Sequence, residues 1–291
     1  MFTDFLQFLV TGVTIGATYA LVALGFSIIY NASHVINFAQ GDFVMIGGMS
    51  AVFIIASGVP MPVALLIAVL FGALVGMLLY KGGIEPARNA GVIPLIIITV
   101  GAALFLRGVA QVVWGRSYHS LPGFSGDEPV RFLGVVMMPQ SLWVIGITLA
   151  IVAALGYFFT RTMLGKAILA TSHNRDAAKL MGINTNMILL VSFALAGLLG
   201  AVAGVIVAPI TFTYYEVGVM LGLKGFVAAV LGGLGSFAGA IAGGVILGVT
   251  EAMMAGYISS DYKDAVAFVL ILLILFFMPS GIFGKGGVER V

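Results

Sequence analysis

The chain has 291 residues, 61% of them hydrophobic and 8% charged, and a formal net charge of +2. That composition leaves too little polar surface for a water-soluble globule and places the chain in a membrane, while the small net charge gives no footing for a nucleic-acid partner. The absence of cysteine excludes disulfides, thiolate metal sites and a cysteine nucleophile, and His34, His119 and His173 have no metal-ligand spacing.

A helix needs ~20 apolar residues to cross the hydrocarbon core. Eight apolar segments approach that length: 5–30, 35–58, 61–80, 92–114, 142–160, 187–209, 225–250 and 265–283. The first has no basic region before it and no small-residue cleavage site, so it is expected to stay in the mature protein. The second is interrupted only by Asp42, and the fourth contains Arg107. Forty glycines in such a background suit the close packing of transmembrane helices.

Basic residues are retained in cytoplasmic loops. Placing 81–91, 161–186 and 284–291 inside collects Lys81, Arg88, Arg161, Lys166, Arg175, Lys179, Lys285 and Arg290, eight of the thirteen basic residues. The loop 115–139 then lies outside, where Asp127 and Glu128 offset Arg116 and Arg131. With 210–222 and 257–264 also outside, the glycine-rich seventh segment must enter and return as two half-length helices meeting near Gly232 to Ser236. The expected fold is therefore an all-α polytopic transmembrane bundle forming one domain, 1–291. It has nine crossings, its N-terminus outside and its C-terminus inside.

No phosphate-binding G-x-x-x-x-G-K-[ST] loop, zinc-binding H-E-x-x-H or dinucleotide fingerprint occurs. The chain is expected to be no enzyme and to bind no cofactor.

In the longest inside loop, Asn174 can cap a short helix, Asp176 suits its positive end and Gly182 can stop it in the left-handed conformation. Asp176 and Lys179 are i,i+3 neighbours. Ala177, Ala178, Leu180 and Met181 add apolar surface. The element could rest on lipid headgroups with Arg175 and Lys179 at anionic lipid, or it could dock a partner.

"GKAILATSHNRDAAKLMGIN", residues 165–184, resembles the coupling-loop signature of ABC importer permeases. "GVTIGATYALVALGFSIIYNASHVINFAQGDFVMIGG" (12–48), "GGLGSFAGAIAGG" (232–244) and "MPSGIFG" (278–284) resemble the branched-chain amino acid permeases of the LivH type. Gln40 stands where many relatives carry histidine, and Lys166 where arginine is frequent. The resemblance implies that Asn174, Arg175, Asp176, Ala178, Lys179, Leu180, Met181 and Gly182 enter a groove of a cytosolic ATPase. It also implies a second, similar permease or a second copy, a periplasmic solute-binding protein touching 115–139 and 210–222, ATP and Mg on the ATPase subunits, and residence in a bacterial inner membrane. The cargo it implies is leucine, isoleucine, valine or other small amino acids, with urea and short amides carried by relatives.

Two further places interrupt the apolar pattern. In "INFAQGDF" (36–43), Asn37, Gln40, Gly41 and Asp42 could line a solute path, or Asp42 could only cap the second helix. At the turn of the seventh segment, Gly233 and Gly235 break the helix and Ser236 can cap the returning arm, so amides freed there could face a solute. Gly235, Gly239 and Gly243, like Gly200 with Gly204 and Gly12 with Gly16, form four-residue stripes that suit helix packing. Arg107 could contact solute or pair with an acidic residue. Glu216 and Glu251 are expected near outer ends, in solvent, and Trp114 and Trp143 at the interface. An ion-coupled secondary transporter would want carboxylates at the bilayer midplane, and a channel or scaffold would have no use for a capped inside helix.

Overall fold

Apolar runs of this kind can keep their backbone groups satisfied in lipid by closing them within helices. In the computed structural model, which describes residues 2–126, 128–132 and 134–284, the long apolar runs do so. The helices are α1 (Phe2–Ser33), α2 (Gln40–Ala56), α3 (Met61–Leu79), α4 (Val92–Trp114), α5 (Pro139–Arg161), α6 (Met163–His173), α7 (Arg175–Leu180), α8 (Thr185–Thr211), α9 (Val217–Gly232), α10 (Phe237–Tyr257) and α11 (Lys263–Phe277). A π-helical turn, Tyr80–Ile84, extends α3. The one β-element among the described residues is an antiparallel hairpin of β1 (Val130–Phe132) and β2 (Val135–Met137).

Local chemistry marks the helix starts. Pro62 and Pro139 lie at the first turns of α3 and α5, where a missing N–H costs nothing. Thr162, Asn174, Asn184 and Ser236 each accept a backbone N–H at the start of α6, α7, α8 and α10.

Among the described residues, six helices are long and apolar enough to cross a membrane: α1, α3 with its π-turn, α4, α5, α8 and α10; α2 and α9 are shorter apolar helices. The apolar window of α1 is 89% buried, against 11% for α4 and 17% for α5. So α1 is the central post, while α4 and α5 stand at the periphery with their apolar faces outward. Glycine stripes set the close contacts: a Cβ on Gly12 would meet Val249 Cα at 2.6 Å, and one on Gly16 would meet Gly244 O at 2.8 Å, both on α10. Gly200 and Gly204 place α8 equally close to Phe43 and Val44 of α2.

Opposite ends of the bundle carry different loops. At one end, Gln7 exchanges two hydrogen bonds with Val136, and His119 pairs with Thr213 across an isolated bridge. At the other end lie α6 and α7, the turn 233–236, the loop 85–91 and the segment 278–284. Asp127, Lys285 and Arg290, three of the residues that bear on charge placement, lie outside the described residues.

The seventh segment departs from expectation. Its break does fall at 233–236, but the two arms are not half-length. α9 begins at Val217 and runs 16 residues, about 24 Å, and α10 runs 21 residues, about 32 Å. The turn therefore sits at the end that carries α6, where Asn31 Nδ2 donates to Gly235 O at 2.8 Å, rather than at the middle of the bundle.

Candidate functional site

Three constellations stand out from the apolar background. The first is α7. Asn174 Oδ1 accepts from the amides of Asp176 (3.1 Å) and Ala177 (2.9 Å), which satisfies two donors of the first turn. At the other end Gly182, with φ +82°, closes a paired stop: its amide donates to Lys179 O, and that of Ile183 donates to Ala178 O. Lys179 Nζ lies 3.2 Å from Asp176 Oδ1. Ala178 is buried against the rest of the chain, while Leu180 and Met181 are 90% and 82% exposed. A six-residue helix fastened at both ends thus holds two large apolar side chains outward. Beside it lies a polar groove lined by Arg88, Asn89, Arg175, Lys179 and Asn184.

The second constellation is the start of α2. Asp42 caps nothing: the cap position is Ala39, without a side-chain bond. Its Oδ1 instead accepts from Arg107 Nε on α4 at 2.9 Å, with the Asp42 side chain 3% exposed. Arg107 therefore takes the pairing open to it from sequence. Asn37 Oδ1 accepts from Ala39 N, and Gln40 Nε2 donates to Ala196 O, but Asn37 Nδ2 and Gln40 Oε1 are buried with no protein partner. Unpaired buried polar atoms cost on the order of 1–3 kcal/mol each. Gly41 brings α2 onto α9, since a Cβ there would strike Gly218 O and come within 2.7 Å of Gly222 Cα. Asp42 and Arg107 stand in the wall of a cavity of about 160 Å³ between α1, α2, α4 and α9, otherwise lined by Phe26, Phe38, Phe226 and small or aliphatic groups.

The turn at 233–236 does not join that cavity. Gly233 and Gly235 adopt φ +99° and +87°, and Ser236 Oγ accepts from Gly239 N at 3.1 Å. The Gly233 amide donates to Val230 O and that of Ser236 to Gly233 O, while the amides of Ile282 and Phe283 donate to Leu231 O and Gly232 O. The segment 278–284 thus occupies the carbonyls of the α9 terminus, and the amides of Gly233 and Ser236 are taken up within the turn itself.

The third constellation was missed in the sequence. Lys224 of α9 is 7% exposed and lies 2.6 Å from both Glu251 Oε1 of α10 and Asp264 Oδ1 of α11. Tyr19 of α1 donates to Glu251 Oε2 at 2.8 Å. Glu251 is 5% exposed, so its expected solvation is corrected. The cluster's one sequence signal is Lys224 itself, a cation immediately before the uncharged stretch 225–250.

Residues 8–275 match the model of the branched-chain amino acid transport system permease component. The high-affinity branched-chain amino acid transport system permease protein LivH of Escherichia coli K12 is 36% identical over 310 residues, covering 100% of this chain and 99% of that protein. BraD, the corresponding protein of Pseudomonas aeruginosa, is 33% identical, covering 99% and 98%. The ribose import permease protein RbsC of Escherichia coli K12 is 31% identical, covering 87% and 80%. Among solved structures, PsaBC from Streptococcus pneumoniae in complex with Fab superimposes with a TM-score of 0.45 at 18% identity, covering 96% of this chain and 91% of that one.

Proposed function

The chain belongs to the branched-chain amino acid permease family, the inner-membrane component of ABC importers, and we propose that it carries small amino acids, branched-chain ones foremost, using work received through α7. The observation that carries this reading is the construction of α7. A capped, glycine-stopped helix too short to be stable alone presents Leu180 and Met181 outward. Such a fastened knob can transmit a push from a partner without unwinding.

In this reading the end bearing α6, α7 and the loop 85–91 faces the cytoplasm, as the basic residues there favour. The nine apolar helices α1–α5 and α8–α11 cross the membrane, the shorter α2, α9 and α11 with local thinning of the bilayer. Two ATPase subunits holding ATP and Mg close on α7 and its counterpart in a second permease, either a similar chain or another copy. Their closure tilts α5 and α8, which flank α6 and α7, and access to the path alternates. A binding protein delivers solute at the opposite end, near 115–139 and 210–222. The polar start of α2, with Asn37, Gln40 and Asp42, lines the path.

A ribose permease at 31% identity keeps a neutral sugar as a second reading of the cargo. The test is reconstitution with the ATPase, the partner permease and the binding protein in proteoliposomes. Uptake of L-leucine that needs ATP and the ATPase supports the proposal, and uptake of ribose in preference to leucine supports the second reading.

A further inference from the structure

We propose that the cavity between α1, α2, α4 and α9 is a zwitterion site, in which Asp42 takes the α-ammonium and Arg107 the α-carboxylate of an amino acid whose side chain lies against Phe26, Phe38 and Phe226. The inference rests on the permease reading and assigns that reading a place on the chain.

Asp42 and Arg107 are the charged residues of this wall, and the rest of the lining is aromatic, aliphatic or glycine. Two opposite charges beside one apolar hollow match the three parts of an aliphatic amino acid. Arg107 meets Asp42 through Nε, so its two terminal nitrogens keep the fork geometry that grips a carboxylate. The void of about 160 Å³ is close to the ~150 Å³ of an apolar cavity that admits a benzene ring, so a branched aliphatic side chain is within its reach. Gly218 and Gly222, which let α9 approach Gly41, also leave this wall free of side chains. The floor, Phe26, is 3% exposed, whereas Phe38 and Leu223 at the rim are each 38% exposed.

Charge balance explains why such a pair suits transport. Empty, the site holds one internal ion pair; occupied, it holds two ion pairs with the solute; in neither state is an uncompensated charge left in the membrane. Grip and release then exchange partners of like charge, and neither leaves a carboxylate or guanidinium alone. A neutral sugar would have no use for the two opposed charges.

The test is L-leucine uptake by the complete importer in proteoliposomes, comparing wild type with the double variant Asp42→Leu/Arg107→Met. Apolar replacement of both members of a buried pair is often neutral for the fold. The double variant should assemble and lose at least tenfold in ATP-dependent leucine uptake; unchanged uptake overturns the proposal. Val100→Phe fills the cavity from the loosely packed α4 without touching either charge, and decides the matter should the double variant fail to assemble. It should lower leucine uptake at least fivefold relative to alanine, and an unchanged ratio overturns the site. If the wild type shows no ATP-driven uptake of any solute, the permease reading itself fails; wild-type leucine uptake that ignores these substitutions overturns the site alone.

Discussion

Lys224 on α9 and Glu251 on α10 form a buried ion pair with 2.6 Å between Nζ and Oε1. Asp264 on α11 and Tyr19 on α1 complete it, so one cluster ties four helices together. Removing one partner leaves the other as an uncompensated charge, which costs roughly 3–5 kcal/mol. Lys224→Met should therefore lower the thermal unfolding temperature of the detergent-purified protein markedly, and Glu251→Gln should do so to a lesser degree because an amide can still accept from Tyr19. Thermal denaturation monitored by tryptophan fluorescence reads both; a Lys224→Met protein as stable as wild type would remove the cluster's structural role.

Gly41 and Gly218 bring α2 and α9 together so closely that a Cβ on either would strike the other's backbone oxygen. Gly41→Val adds a branched side chain where backbone already stands, and overpacking of this kind costs about 1–3 kcal/mol. The expected result is a less stable protein with slower leucine uptake, since the same contact shapes the cavity wall. Alanine at position 41 should show the same effects in milder form, and a valine variant with native stability and uptake would contradict the packing.

Leu180 projects from α7 with 90% of its surface exposed. Leu180→Asp removes nothing from the core and should leave the unfolding temperature within about a degree of wild type, given that such surface changes are usually within ±0.5 kcal/mol. Its effect should fall on the partner: co-purification of the ATPase should drop at least tenfold. Undiminished recovery of the ATPase would argue for a helix resting on lipid.

The chain has no cysteine, so single-cysteine labelling is unobstructed. In cells, Leu180→Cys should react with a maleimide only after the membrane is permeabilised, and Ser117→Cys should react with an impermeant reagent from outside. The opposite pattern would invert the orientation on which the coupling scheme depends.

The features legible in the sequence were mostly local. Asn174 and Gly182 act within their own helix, so their cap and stop are set by neighbours a few residues away. The apolar runs likewise find their helices because lipid leaves the backbone few alternatives. Pairings between distant segments were not legible. Asp42 and Arg107 are 65 residues apart, and nothing along the chain favours that pairing over a cap at Asp42. Lys224 and Glu251 each looked like the edge of an apolar segment, because hydropathy alone cannot tell a solvated end from a buried pair. The segment 278–284 carried a motif, but its hydrogen bonds to Leu231 and Gly232 become visible only in three dimensions.

In the proposed scheme force enters through α7, and uptake by wild type and by Gly182→Val in proteoliposomes containing the whole importer tests that route. At φ +82° a β-branched residue is strained by about 1–3 kcal/mol, enough to undo the stop of a six-residue helix while the bundle stays folded. Wild type should accumulate L-leucine only with ATP and the ATPase, and the variant should assemble its helices yet accumulate almost none. Leucine accumulation by the wild-type chain driven by an ion gradient without any ATPase, or full ATP-dependent accumulation by the variant, would rule out coupling through α7.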